Sequence, residues 1–270
     1  MTTTTGLNRN IIDKYYTKPE IASQCVNKFN TIIEPKETDI IIEPSAGGGA
    51  FIDPLRQLST QVYLYDIQPE NPAIIQQDWL KWHPTQTMEN IHIIGNPPFG
   101  RQSSTAIQFI KHSAKYAKTI AFILPKSFKK DSMRKAFPPL FHLVFEEDLP
   151  INSFTVNNES HDVPCVYQIW KKMDHPREIA QKTEPLGFEF VKKNQHPDIS
   201  FRRVGVNAGV IDTVIETKSE QSHYFIRFTN KKSLEDNLSL LTNISFIFDN
   251  TVGPRSISKP ELCKEFIKVL

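Results

Sequence analysis

Cysteine is scarce in this chain. The three present, Cys25, Cys165 and Cys263, lie far apart and are odd in number. They form no Cys-x-x-Cys pair and no zinc-ligand spacing, so neither a disulfide framework nor a metal site is expected; free thiols in a reducing compartment fit. Long apolar runs are missing as well: no stretch approaches the length of a membrane span. The opening, Met1 to Asn10, is polar and threonine-rich and lacks the apolar centre of a secretory leader. The expectation is a soluble, intracellular, cytoplasmic protein with no membrane partner. Net charge is nearly absent: 32 Lys and Arg against 30 Asp and Glu leave +2, so no global field announces a polyanion. No G-x-G-x-x-G occurs, and a dinucleotide pyrophosphate is not indicated. No internal repeat or long low-complexity tract is present.

What remains is an ordinary globular composition, 39% hydrophobic and 23% charged over 270 residues, enough for one large or two modest domains. Short apolar runs recur: Ile40-Ile41-Ile42, Val62 to Asp66, Ile74 to Gln77, Ile91 to Ile94, Thr119 to Leu124, Phe141 to Leu149 and Val163 to Lys171. Each reads as a strand. Helical stripes intervene at Ile21, Cys25, Phe29, Ile32 and Ile33, and again at Ile107, Ile110, Ala114 and Ala117. Thr17 followed by Glu20 reads as a capping box for the first helix, starting near Lys18. Ser127 to Phe137 reads as a short basic helix stopped by Pro138-Pro139. The fold class is therefore α/β: a doubly wound sheet, helices on both faces, with an antiparallel edge.

Four loops at strand ends carry chemistry. Glu43-Pro44-Ser45-Ala46-Gly47-Gly48-Gly49-Ala50-Phe51 is a glycine loop between strand and helix, with an acid at the strand end. Asp66 ends the next strand 23 residues after Glu43, placed for ribose hydroxyls. Asp78-Trp79 offers an acceptor for an amino group and a ring to cover a base. Asn96-Pro97-Pro98-Phe99 is the sharpest feature. Two prolines stop the strand and hold Asn96 extended, at the sheet edge where ligands bind in open α/β folds. The Asn96 side-chain oxygen and the Pro97 carbonyl can each accept a proton from a planar NH2 group while Phe99 stacks on its ring. From Arg101 to Lys135 nine Lys and Arg, Lys126 among them, stand against Asp131 alone, a local attraction for phosphates. Tyr15 and Tyr16 precede the first helix and read as a hydrophobic staple or as residues facing a ligand.

Taken in order, Tyr-x-Thr-Lys-Pro, the glycine loop, Asp66, Asp78-Trp79 and Asn96-Pro97-Pro98-Phe99 resemble the class I S-adenosylmethionine-dependent N6-adenine methyltransferases over about residues 14–171. The resemblance implies a Rossmann-like, seven-stranded methyltransferase sheet and S-adenosyl-L-methionine as cofactor. It implies that Tyr15, Tyr16, Thr17 and Pro19 close over the methionine end, and that Glu43, Pro44, Ala46, Gly47 and Gly49 lie beside the methionine and ribose. It places Asp66 on the ribose hydroxyls, Asp78 on the cofactor's adenine amino group with Trp79 beside the ring, and Asn96, Pro97, Pro98 and Phe99 in the catalytic loop. Phe154 is offered as a second aromatic for the far face of the target base. The target adenine must be single-stranded or flipped to reach the loop.

After residue 172 the character changes to a polar, proline-punctuated stretch, then β-like runs at Phe225 to Phe228 and Ile244 to Phe248 and a closing helix from Pro260 to Val269. The chain is expected to divide into a mobile lead-in over 1–13, a methyltransferase domain over 14–172 and a target-recognition or accessory region over 173–270. Arg202, Arg203 and Arg255 are its candidate nucleic-acid contacts. The expected partner is nucleic acid, DNA ahead of RNA, with a homodimer or partner subunit left open. N6-adenine methylation of RNA, N5-methylation of a protein glutamine and a non-catalytic nucleic-acid-binding copy of the fold are the alternatives.

Overall fold

The structure is a computed structural model that describes residues 15–156, 159–178, 183–246 and 255–270. The lead-in expected over 1–13 and residues 247–248 of the last β-like run lie outside them. The chain divides into two compact units, Met1–Glu178 and Ile179–Leu270.

The first unit begins with β1 (Tyr16–Thr17) and α1 (Pro19–Ile33). Then follow β2 (Ile40–Glu43), α2 (Ile52–Arg56), β3 (Gln61–Asp66), β4 (Ile75–Gln76) and β5 (Ile91–Gly95). The second half holds α3 (Ser104–Ser113), β6 (Thr119–Pro125), α4 (Asp131–Arg134), β7 (Phe141–Asp148), β8 (Phe154–Val156), β9 (Glu159–His161) and β10 (Cys165–Lys172). Seven strands form one sheet in the order β4-β3-β2-β5-β6-β10-β7. The first five run parallel, and β10 pairs antiparallel with both β6 and β7. This is the Rossmann-like, doubly wound α/β architecture with an antiparallel edge.

Strand alternation sorts the apolar residues into two cores. Ile40, Ile42, Ile93 and Phe122 face α3 and pack with Trp79, Trp82 and Ile110. Ile41, Ile94 and Ile123 face the opposite way onto Val26 and Phe29 of α1 and Leu55 of α2. Both sheet faces are covered, which is why these strands read as continuous apolar runs. Each fully buried Ile or Phe contributes about 1.5–3 kcal/mol.

Three local expectations are corrected. The Thr17–Glu20 capping box does not form: α1 starts from Lys18, which makes no side-chain cap bond. Thr17 instead lies in β1, paired with Phe154 of β8, and β9 completes a small sheet. Long-range pairing claims the residue before the local cap can. The expected alternation of strand and helix also fails between β3 and β5, where only turns and a 3-10 turn at Trp79–Lys81 intervene. The basic helix over 127–137 is split into a 3-10 turn, Lys126–Lys129, and α4.

The second unit is a four-stranded sheet in the order β11-β14-β12-β13, formed by β11 (Phe188–Val191), β12 (Ile199–Arg202), β13 (Ile211–Asp212) and β14 (His223–Phe228). Helices α5 (Leu234–Leu241) and α6 (Lys259–Phe266) contribute Leu241, Leu262 and Phe266 to its core with Phe188, Phe201 and Ile226. Ser258 and Glu261 cap α6 reciprocally. No strand is present at residues 244–246.

Candidate active site

The site is assembled at the carboxyl ends of β2, β3 and β5. Gly95 closes β5 at φ +152, and a Cβ there would stand 3.1 Å from the Glu43 side chain, so glycine lets the two strand ends lie together. The Asn96-Pro97-Pro98-Phe99 loop follows. Ser45 Oγ donates to the Asn96 carbonyl at 3.0 Å, tying this loop to the glycine loop. At its far end Gly100 has φ +69 and abuts Thr105, whose backbone N–H donates to the Phe99 carbonyl at 3.1 Å. The loop is thus fastened on both sides.

The Asn96 amide is held asymmetrically. Its Nδ2 donates to Thr17 Oγ1 at 3.1 Å and to the Tyr15 carbonyl at 3.3 Å. Its Oδ1 is buried with no hydrogen-bond partner among the described residues. Such an orphan acceptor costs on the order of 1–3 kcal/mol unless a donor arrives. Glu43 Oε2 is a second buried atom without a partner among the described residues. Burial, and then the charge of Asp66, raise the Glu43 carboxyl well above the usual carboxylate range.

The glycine loop is pinned through Asp66. Its Oδ2 accepts from the Gly47 N–H at 2.8 Å, and its Oδ1 from the Gln68 N–H at 2.7 Å. The Tyr16 ring lies over Gly47 and Gly48, and its hydroxyl donates to Glu70 at 2.5 Å. Asp78 caps the 3-10 turn by accepting from the Leu80 N–H at 3.0 Å, with Lys81 Nζ 3.4 Å from its other oxygen.

Two adjoining cavities result. One, of about 350 Å³, is lined by Asp66, Asp78, Trp79 and the whole Asn96–Phe99 loop, with Pro44. The other, of about 310 Å³, is lined by Thr17, Pro19, Glu43, Ala46 and Gly49. Tyr15, Tyr16, Gly47 and Asn96 face both. Every residue expected to bind cofactor or form the catalytic loop therefore lines one of two neighbouring cavities. Tyr15 and Tyr16 line both cavities, and Tyr15 also packs on the core beside Phe154.

The expectation for Phe154 fails. Phe154 is fully buried; it packs edge-on against Tyr15 within the small sheet and presents no face to a base. Trp79 is only 1% exposed, stacked on Trp82 and donating to Ser113, so it is cavity wall and not a free plate. Lys126 is ion-paired with Asp148 at 2.8 Å; Lys129 shares that carboxylate, and Arg134 pairs with Glu146. These three of the tract's nine cations are thus paired with two carboxylates. Arg202, Arg203 and Arg255 belong to the second unit; Arg202 Nε donates to the Val204 carbonyl and Arg203 to the Gln221 carbonyl. Gln68, Glu70, Gln77, Thr105 and Phe109 line the first cavity and were not singled out from the sequence. Glu70, four residues beyond a strand-end acid, carried the one readable signal. Among the described residues no cluster of three His, Cys, Asp or Glu is placed to hold a metal ion.

No family model matches the chain, and no curated protein matches it. Solved structures do align with the sheet. A chain from Pyrococcus horikoshii described as a candidate RNA methyltransferase is 13% identical, with 60% of this chain and 87% of that chain covered at a TM-score of 0.49. The 23S rRNA methyltransferase ErmE is 17% identical, with 60% and 71% covered at 0.45. A modification subunit of a candidate type I restriction enzyme from Vibrio vulnificus YJ016 is 14% identical, with 60% and 45% covered at 0.44. At such identities and scores these likenesses do not say what this chain binds.

Proposed function

We propose that this chain transfers the methyl group of S-adenosyl-L-methionine to the N6 amino group of adenine in DNA, with the target base flipped or single-stranded. The observation that carries the reading is the Asn96 amide: its N–H side faces Thr17 and the Tyr15 carbonyl, and its oxygen is buried and unfilled. An acceptor so placed selects a substrate group that brings a proton, as an amino group does. A ring nitrogen with only a lone pair has nothing to offer it.

The residues present fit the cofactor. The buried Glu43 carboxyl and Thr17 suit the charged methionine end, Asp66 suits ribose hydroxyls, and Asp78 suits an adenine amino group. Bound there, the cofactor supplies an electrophilic methyl on a sulfonium, so the protein needs alignment more than a strong base. Asn96 Oδ1 and the Pro97 carbonyl accept the two N6 protons, which draws the nitrogen lone pair out of conjugation and aims it. The N–CH3 bond would form as the sulfonium S–CH3 bond breaks to leave a neutral thioether, and the nitrogen would release its surplus proton to solvent. Holding reactants in line can supply on the order of 7–11 kcal/mol of the barrier. Phe99 stacks on the target ring for roughly 1–3 kcal/mol, offsetting part of the unstacking cost. The linear order of the motifs and the separate second unit support DNA, with Arg202, Arg203 and Arg255 as phosphate contacts.

The test is transfer of labelled methyl to duplex DNA, single-stranded DNA, RNA and a glutamine-containing peptide in parallel. N6-methyladenine in DNA that disappears with Asn96→Ala is the expected result. Label on RNA or on glutamine instead would replace the substrate and keep the chemistry. Cofactor binding without any transfer would leave the chain a binder that requires a partner subunit.

A further inference from the structure

We infer that Thr17 is the positioning residue of the catalytic amide: the acceptor-only Tyr15 carbonyl sets the sense of Asn96, and the Thr17 hydroxyl accepts the other Nδ2 proton and holds the amide in that plane, leaving Oδ1 for the substrate. The inference rests on the amino-group reading for its consequence in catalysis, but its geometry stands by itself.

A carboxamide can turn over by half a rotation and exchange its oxygen for its NH2 at little steric cost. What decides the sense is the set of partners. On the Nδ2 side of Asn96 stand two acceptors, Thr17 Oγ1 at 3.1 Å and the Tyr15 carbonyl at 3.3 Å. The Tyr15 carbonyl has no proton, so a turned-over amide would set oxygen against oxygen. Thr17 supplies the shorter bond and, with the carbonyl, gives each Nδ2 proton a destination. The amide then has no donor left for a ligand and one unfilled acceptor.

The holding group is not part of the sheet that carries Asn96. Thr17 sits in β1, which pairs with β8 through Tyr16 with Thr155 and Thr17 with Phe154. The Lys18 N–H donates to the Ser153 carbonyl at 3.1 Å just beyond. Phe154, fully buried beneath, fixes β8, and β8 fixes β1. This assigns Phe154 a place in the site as the anchor of the strand that orients the amide. Thr17 also lines the second cavity while Asn96 lines both, so one hydroxyl touches the two ligand spaces through one hydrogen bond.

The experiment compares Thr17→Val, which keeps the shape and removes the acceptor, with Thr17→Ser, which restores it. The first readout needs no turnover: the Asn96 side-chain NH2 signals, assigned by their loss in Asn96→Ala, are followed for exchange with solvent. Thr17→Val is expected to speed that exchange about tenfold, the weight of one ordinary hydrogen bond, and Thr17→Ser to leave it near the wild-type rate. Unchanged exchange in Thr17→Val overturns the inference whether or not the chain is a methyltransferase. The second readout is kinetic. At saturating cofactor and DNA, kcat is expected to fall about tenfold in Thr17→Val and to recover in Thr17→Ser, with a cooperative thermal unfolding transition as the check on folding. In an Asn96→Ala background Thr17→Val is expected to have no further effect. A raised KM for cofactor with unchanged kcat makes Thr17 a cofactor contact alone and overturns the positioning role. A wild-type chain that methylates no amino group sinks the amino-group reading alone, since the exchange measurement still decides how Asn96 is held.

Discussion

Glu43 and Asn96 each bury a polar atom that no donor among the described residues reaches. Glu43 binds its proton more tightly in the folded chain than in the unfolded one, because burial and Asp66 disfavour its charge. The folded state therefore gains relative stability below the ordinary carboxylate range and loses it as pH rises from there towards the raised folded value. Glu43→Gln removes that loss. Its thermal midpoint should exceed wild type at neutral pH and converge with it in acid; a difference independent of pH would assign the effect to packing. Asn96→Asp keeps size and adds charge. It sets a charged oxygen against the Tyr15 carbonyl, so it should lower the thermal midpoint and, in the folded fraction, lower methyl transfer by at least about a hundredfold, an outcome read from single-turnover rates at saturating cofactor.

At the scale of elements, the small β1-β8-β9 sheet separates what was readable from what was not. Strands such as Ile40–Glu43 and Thr119–Pro125 are buried on both faces, so their apolar runs declared them. The strand-end acids and the Asn96–Phe99 loop follow those strands directly, and were legible for that reason. Tyr16–Thr17 is two residues long and pairs across about 140 positions, and Glu159–His161 is short and polar, so neither carries a local apolar pattern to mark it. Phe154 and Trp79 were legible as aromatics but not as buried ones, since burial depends on what packs from elsewhere. Phe154→Ala should cost about 3–5 kcal/mol in denaturant unfolding, as other large buried rings do. If the small sheet steers Asn96, the surviving folded fraction should also turn over more slowly. A second element-level effect lies at the opposite end of β5. His92 Nε2 meets Asp39 at 3.3 Å. Burial holds His92 below its usual range. Burial acts to raise Asp39 too, but the Lys36 N–H and His92 outweigh it and leave it lowered. A lowered acid and a lowered histidine both lose their contribution as pH falls, but their neutral replacements act differently: His92→Gln should shift acid unfolding to lower pH, whereas Asp39→Asn should lower the thermal midpoint at neutral pH and converge with wild type in acid.

The whole molecule has two units with separate cores, and every candidate cofactor and catalytic residue lies in the first. A chain ending at Glu178 should still bind S-adenosylhomocysteine. The cut falls beyond Arg177, whose guanidinium donates to the Arg134, Phe137, Pro138 and Phe141 carbonyls and so secures the end of the first unit. The shortened chain should bind DNA more weakly and with a flatter dependence on salt, by about one unit of log-log slope for each phosphate it no longer neutralises. Replacing Arg202, Arg203 and Arg255 together in the full chain should reproduce that flattening; an unchanged slope would remove the second unit from any role in holding DNA.

The Asn96–Pro97 junction also bears on how the molecule ages. Asparagine side chains hydrolyse slowly in storage when the next residue's backbone nitrogen attacks the amide and closes a succinimide ring. Proline has no N–H to offer for that closure. The amide on which the proposed chemistry depends is thereby shielded from the route that converts asparagines such as Asn194 and Asn243, which precede Gln195 and Ile244. Preparations kept for weeks should accumulate acidic isoforms while their specific activity holds.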